Sequence, residues 1–95
     1  MTATTDTEIL LDAVIEHQTN EVKVRDLILY NDDYNTFDFV IESLVEICKH
    51  DRLQAEQCTY LVHYRGKCSV KDGPVKRLKP LCEAFHDRGL TASIE

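Results

Sequence analysis

Leu27-Ile28-Leu29-Tyr30-Asn31-Asp32-Asp33-Tyr34-Asn35-Thr36-Phe37 runs from an apolar segment, through a polar corner, into an amphipathic pattern. The stretch from Val22 to Asn31 alternates weakly and then becomes continuously apolar, which predicts a strand ending at Tyr30 or Asn31. Asn and Asp bond their own backbone and tolerate a bend, so Asn31-Asp32-Asp33 predicts a turn. Beyond it, Phe37, Val40, Ile41, Leu44, Val45 and Cys48 fall on one helical face, with Asp38, Glu42, Glu46 and Lys49 on the other. Asn35 or Thr36 can cap that helix, and Asp38 in its first turn favours the positive end of the dipole.

Working outward, a second helix fits Leu53 to Tyr64, with Cys58, Leu61 and Val62 facing inward and Gly66 ending it. Cys68-Ser69-Val70 predicts a short strand. Asp72-Gly73-Pro74 is turn chemistry that opens a third helix, with Asp72 as its cap and Pro74 in the first turn. Val75, Leu78, Cys82 and Phe85 mark that helix. Pro80 lies inside it, so either it kinks there or its regular part starts near Leu78. Arg88-Gly89 ends the helix, and Leu90 to Glu95 alternates as a final strand. The order β-α-α-β-α-β predicts one small α+β domain over residues 23–95, a short, mostly antiparallel three-stranded sheet covered on one side by three helices. Residues 1–22 hold only the apolar patch from Ile9 to Ile15 and are expected to form a mobile N-terminal extension.

Charge is unevenly spread along the 95 residues. Residues 1–46 hold eleven acids against Lys23 and Arg25, whereas residues 47–95 hold nine bases and six acids. An acidic front half argues against nucleic acid at the Asn31-Asp32-Asp33 corner and suits a cationic ligand. The four cysteines, Cys48, Cys58, Cys68 and Cys82, form no CxxC or CxxH pair, so they are expected to be reduced thiols packed as small apolar residues rather than zinc ligands. No charged-then-apolar leader opens the chain, and no apolar stretch approaches the ~20 residues of a membrane span. The expected location is cytoplasmic, and the expected state a monomer.

Asp32, Asp33 and His63 could imitate an acid–base set, yet no nucleophile motif, Gly-rich phosphate loop or HExxH accompanies them. Neither catalysis nor a cofactor is expected. A binding site is easier to assemble. With the corner packed beside the end of the second helix, Asp32 offers a carboxylate, Asn31 an amide oxygen and neutral His63 a ring nitrogen. The helix C-terminus adds partial negative charge. Such acceptors suit one ammonium group, and Val40 and Val62 would form an apolar wall beside it. A charged amine next to an apolar side chain describes the first residue of a peptide. The same residues also have plainer readings: an isolated Asn-Asp-Asp is often a turn and cap signal, and a His near a helix end often meets only the dipole. Tyr30, Tyr34 and Tyr64 read equally well as partly buried aromatics. By spacing alone, the chain is a small α+β binding domain.

Several segments together resemble the ClpS family, adaptors of the Clp ATP-dependent protease that recognise N-degrons. They are Leu29-Tyr30-Asn31-Asp32-Asp33-Tyr34, Phe39-Val40-Ile41-Glu42, Glu56-Gln57 and Val62-His63-Tyr64-Arg65-Gly66-Lys67. The resemblance covers about residues 25–95 and implies an adaptor rather than an enzyme. Such an adaptor binds a substrate's bulky N-terminal Leu, Phe, Tyr or Trp and passes it to a AAA+ unfoldase, ClpA or ClpC. It further implies that Asn31, Asp32 and His63 hold the α-amino group, that Val40, Val62 and Leu90 line the side-chain pocket, and that residues 1–22 take part in handover.

Departures from the family pattern bear on selectivity. The usual Thr-Pro-Met after the corner is Asn35-Thr36-Phe37 here, which puts Phe37 at the methionine gate that rejects β-branched residues. A pocket methionine on the second helix is replaced by Thr59, so a larger gate faces a smaller wall. The segment after Lys71 is shorter than the commoner family form. Two alternatives stand beside the adaptor: a passive protein–protein module of the same shape, like the C-terminal domain of the ribosomal stalk protein, and a metal-binding regulator using Asp32, Asp33 and His63.

Overall fold

The computed structural model describes residues 23–95, so the expected extension over residues 1–22 lies outside the described residues. Strand β1 (Arg25–Tyr30) is followed by helices α1 (Phe37–Cys48) and α2 (Arg52–Arg65), strand β2 (Lys67–Gly73), helix α3 (Val75–Asp87) and strand β3 (Thr91–Ile94). The sheet order is β2-β1-β3, and both pairings are antiparallel. The α+β architecture is as expected from the sequence, with the sheet entirely rather than mostly antiparallel.

Alternation on the central strand turns Leu27 and Leu29 into the core, where both are fully buried with Leu44, Leu78 and Phe85. Opposite Leu27 and Ile28, the β2 register jumps from Lys71 to Ser69 and skips Val70. A skipped residue is left without its ladder partner. The Val70 carbonyl instead accepts from His50 Nε2 at 2.7 Å, which accounts for a buried histidine in the loop after α1.

The helix ends follow from local chemistry. Thr36 caps α1, its hydroxyl accepting from the Phe39 N–H at 3.1 Å. Asp51 caps α2 through the Gln54 N–H at 2.8 Å, and Gly66 closes it at φ 92°, donating to the Val62 carbonyl. Gly89, at φ 79°, ends α3: its N–H reaches the His86 carbonyl, and the next N–H, of Leu90, reaches the Phe85 carbonyl. This is a Schellman closure, with buried Leu90 and Phe85 as its apolar contact.

Four expectations are corrected. The inward face of α2 is Ala55, Thr59 and Val62; Leu61 is exposed and Cys58 half-buried. The strand predicted at Cys68–Val70 extends from Lys67 to Gly73, because β1 offers it six pairing positions. Asp72 therefore pairs with Asp26 in the sheet, and Pro74 is the N-cap of α3 without a side-chain bond. Of the two outcomes expected for Pro80, the late start near Leu78 is overturned, since α3 already begins at Val75 and continues through Pro80 to Asp87. The N–H that Pro80 lacks would have gone to the carbonyl of Lys76, an exposed residue whose carbonyl water can serve. All four cysteines are free thiols, and burial raises Cys48 to about 11.

Candidate functional site

The corner after β1 is held by its own side chains. Asp32 Oδ1 accepts the backbone N–H groups of Tyr34 and Asn35, each at 2.8 Å, and Oδ2 accepts from Asn35 Nδ2 at 2.9 Å. Burial pushes the Asp32 carboxyl up, but the bonds from the Asn35 side chain and from the Asn35 and Tyr34 backbone outweigh it and hold the group below the usual carboxylate range. A carboxylate offers about four lone-pair directions. Three are engaged here, and one on Oδ2 is left.

The corner is then tied to the end of α2, since the Asn31 N–H donates to the Gly66 carbonyl at 2.9 Å. That single bond across the chain brings His63, three residues before Gly66, to the same mouth. Among the described residues, neither the side-chain amide of Asn31 nor the His63 ring has a hydrogen-bond partner, although the His63 ring packs against Phe37 and Tyr64.

Between the corner, α1, α2 and the start of β3 lies a cavity of about 300 Å³. Every residue singled out from the sequence lines it: Asn31, Asp32 and His63, and with them Asn35, Phe37, Val40, Thr59, Val62 and Leu90. Its lining includes carboxylates from Asp32 and Asp33 and no lysine or arginine. Val40, Val62 and Leu90 are core residues that turn an edge to the cavity. Thr59 is almost fully buried, and its hydroxyl donates to the Ala55 carbonyl at 2.8 Å, so that polar group is already satisfied within the helix.

Phe37 spans from the start of α1 to α2, edge-to-face on Tyr60 (5.3 Å between ring centroids) and on His63 (5.0 Å). Tyr64 in turn packs on His63 and stacks on Tyr60. Sequence reasoning missed Leu29, Tyr30 and Thr36 as lining residues and Tyr60 as the support of Phe37, and it named Asp33 only as an acid–base or metal-binding partner of Asp32 and His63. The inward alternation of β1 could have found Leu29, and the three-residue spacing of Tyr60 and His63 could have found Tyr60.

Chemically, the cavity joins hydrogen-bond acceptors to an apolar wall. The Thr36 hydroxyl accepts from the Phe39 N–H, the Thr59 hydroxyl donates to the Ala55 carbonyl and the Tyr30 hydroxyl donates to the Glu95 carboxylate, so each hydroxyl on the lining already has a partner within the fold. Among the described residues, no three His, Cys, Asp or Glu side chains converge as metal ligands, and no helix is long and apolar enough to cross a membrane.

Comparison with known proteins gives the family and the fold. Residues 20–93 match the family model of the ATP-dependent Clp protease adaptor protein ClpS. The ATP-dependent Clp protease adapter protein ClpS of Nitratidesulfovibrio vulgaris is 33% identical over 76 residues, covering 78% of this chain and 72% of that protein. The ClpS of Oleidesulfovibrio alaskensis is 33% identical over 70 residues, covering 72% and 67%. Among solved structures, Agrobacterium tumefaciens ClpS2 bound to L-phenylalaninamide superposes with a TM-score of 0.67 at 20% identity, over 79% of this chain and 98% of that one, and shares the fold. The family match spans strand, corner, all three helices and most of the last strand, and the chain therefore belongs to the ClpS family of non-catalytic Clp protease adaptors.

Proposed function

We propose that the cavity receives the first residue of an N-degron substrate, a bulky hydrophobic Leu, Phe, Tyr or Trp with a free α-amino group, and that the protein delivers that substrate to a AAA+ unfoldase of the ClpA or ClpC type. The observation that carries this reading is the coincidence in one cavity of unengaged acceptors and an apolar wall. The Asn31 amide, the remaining Asp32 lone pair and the His63 ring are positioned to accept from an ammonium group, while Val40, Val62 and Leu90 take the side chain. A volume of about 300 Å³ suits one large side chain rather than a peptide segment, being at the lower end for small-ligand sites. The A. tumefaciens relative, bound to an amine with an aromatic side chain, supports the same assignment. Phe37 is the gate in this reading, residues 1–22 serve in handover, and the setting is the cytoplasm.

Fluorescence anisotropy with peptides differing only at the first residue tests it: free N-terminal Phe, Leu, Val and Ala, and N-acetylated Phe. Phe and Leu peptides are expected to bind, with acetylation abolishing the signal and Val reporting on the Phe37 gate. Equal binding of acetylated and free Phe, or none of either, would leave a passive interaction module of the same fold.

A further inference from the structure

Asn35 stands at the centre of the only side-chain bridge among the described residues that ties the β1–α1 corner to the turn between α3 and β3. Its Nδ2 donates to Asp32 Oδ2 at 2.9 Å and to the Gly89 carbonyl at 3.2 Å. Both partners are acceptors only, so the orientation of the amide is fixed by chemistry: turned over, its oxygen would face a carboxylate and a carbonyl. Both N–H bonds of one nitrogen are thereby engaged, one on Asp32, which lines the cavity, and the other on Gly89, the neighbour of the lining residue Leu90. On one side Asn35 settles which Oδ2 lone pair stays free. On the other it holds the peptide that precedes Leu90, in a turn where Gly89 already adopts φ 79°. We propose that Asn35 is a positioning residue that locks the Asp32 carboxylate toward an incoming ammonium and sets Leu90 against the ligand's side chain, so that the amine and side-chain subsites keep a fixed spacing.

This inference rests on the amine-binding role given to Asp32 above, and goes beyond it by giving Asn35 a task other than lining the pocket. A hydroxyl residue at position 35 has one hydrogen to donate and cannot serve both acceptors. Asparagine can, which gives the Asn35-Thr36-Phe37 sequence a structural meaning. The direction in which the Asp32 carboxyl is displaced agrees, since the Asn35 side chain is the largest of the influences lowering it. The other titratable groups on the cavity are Tyr30, Asp33 and His63. Arg88, beside Gly89, is engaged with Ser43 Oγ at 3.2 Å and with Glu46. Reading Asp32 through its own side-chain carbon resonance separates it from all of these.

The test compares wild type, Asn35→Ala and Asn35→Thr in two measurements: affinity for a Phe-initiated peptide, and the NMR titration of the Asp32 carboxyl in the free protein. Asn35→Ala is expected to bind about tenfold more weakly, the loss of a bond to a charged acceptor, and its Asp32 to titrate at higher pH than in wild type. Asn35→Thr is expected to fall between the two in both measurements, and carries the test if the alanine variant does not fold. Unchanged affinity, or weaker binding with the Asp32 titration unmoved, would overturn the positioning role while leaving the amine site in place. Failure of wild type itself to bind the free-amine peptide would overturn the amine site, and the role of Asn35 with it.

Discussion

Two clefts of similar volume lie at opposite ends of α1, about 300 Å³ beside Thr36 and Phe37 and about 360 Å³ beside Cys48, Lys49 and His50. Their polar groups are in opposite states. In the second cleft Lys71 Nζ donates to the Cys48 carbonyl at 3.3 Å, and His50 Nε2 reaches the Val70 carbonyl. These side chains repair the end of a helix and a bulge in a strand. The one orphan there, His50 Nδ1, is walled off from water. In the first cleft the backbone has been satisfied by other means, Thr36 for α1 and Gly66 for α2, and the Asn31 amide and His63 ring are left facing open space. Volume does not separate a site from a seam. Unengaged acceptors beside an apolar wall do.

The contrast can be broken most directly at Asp32. Asp32→Ala is expected to weaken binding of a Phe-initiated peptide by ~1.5–3 kcal/mol, the worth of a bond to a charged group. That is about ten- to a hundredfold in affinity. Asp32→Asn, which keeps an oxygen for the Tyr34 and Asn35 N–H groups, guards against a collapsed corner. Unchanged affinity by anisotropy in a folded variant would put the ammonium elsewhere.

A smaller effect is expected at the mouth of the same cleft. Phe37→Ala removes two edge-to-face pairs and opens the side of the cavity next to α2. Each such pair is worth ~0.5–1.5 kcal/mol. The ratio of Phe to Val peptide affinities should fall by several-fold, and a ratio equal to that of wild type would remove Phe37 as the gate. At the other end of α1, Lys71→Ala is the converse case. It should leave peptide affinity as it is and lower the melting temperature, since a bond of about 1 kcal/mol is lost and the Cys48 carbonyl at the end of α1 loses its donor. Peptide affinity that fell with it would mean the two clefts are coupled through α1.

How far the sequence foretold this depends on whether the signal was local. The α1 stripe was legible because it is strong: Val40, Ile41, Leu44 and Cys48 are all buried, and the cap is one of the two residues expected. Helix α2 was found but its face was misjudged. Its buried side is Ala55, Thr59 and Val62, a small and partly polar stripe, and the more strongly apolar Cys58 and Leu61 drew the reading a third of a turn away. The candidate site residues could be named from the family resemblance, and the structure brings them to one cavity, but the bonds that hold them there had no local signal. Asn31 to Gly66 and Asn35 to Gly89 join positions far apart in the chain, and nothing in either neighbourhood announces its partner.

The smallest expected effect concerns acid, and it sharpens the comparison because its sign is set by the first cleft alone. Asp32 is held below the usual carboxylate value of about 3.9 by donors that exist only in the folded corner, against the opposing pull of its burial. A group whose folded value is depressed adds stability that is fully present above its unfolded value and is lost as the pH falls through the folded one. The melting temperature of wild type should therefore exceed that of Asp32→Asn by its full margin at pH 7, and the margin should shrink on acidification through the carboxylate range. Asp32 is only partly buried, so water screens the effect and a shift of a few degrees at most is expected. A margin that stayed constant down to pH 2 would mean that the corner holds Asp32 by shape rather than by charge. An ammonium ligand would then find a carboxylate that the fold had not prepared for it.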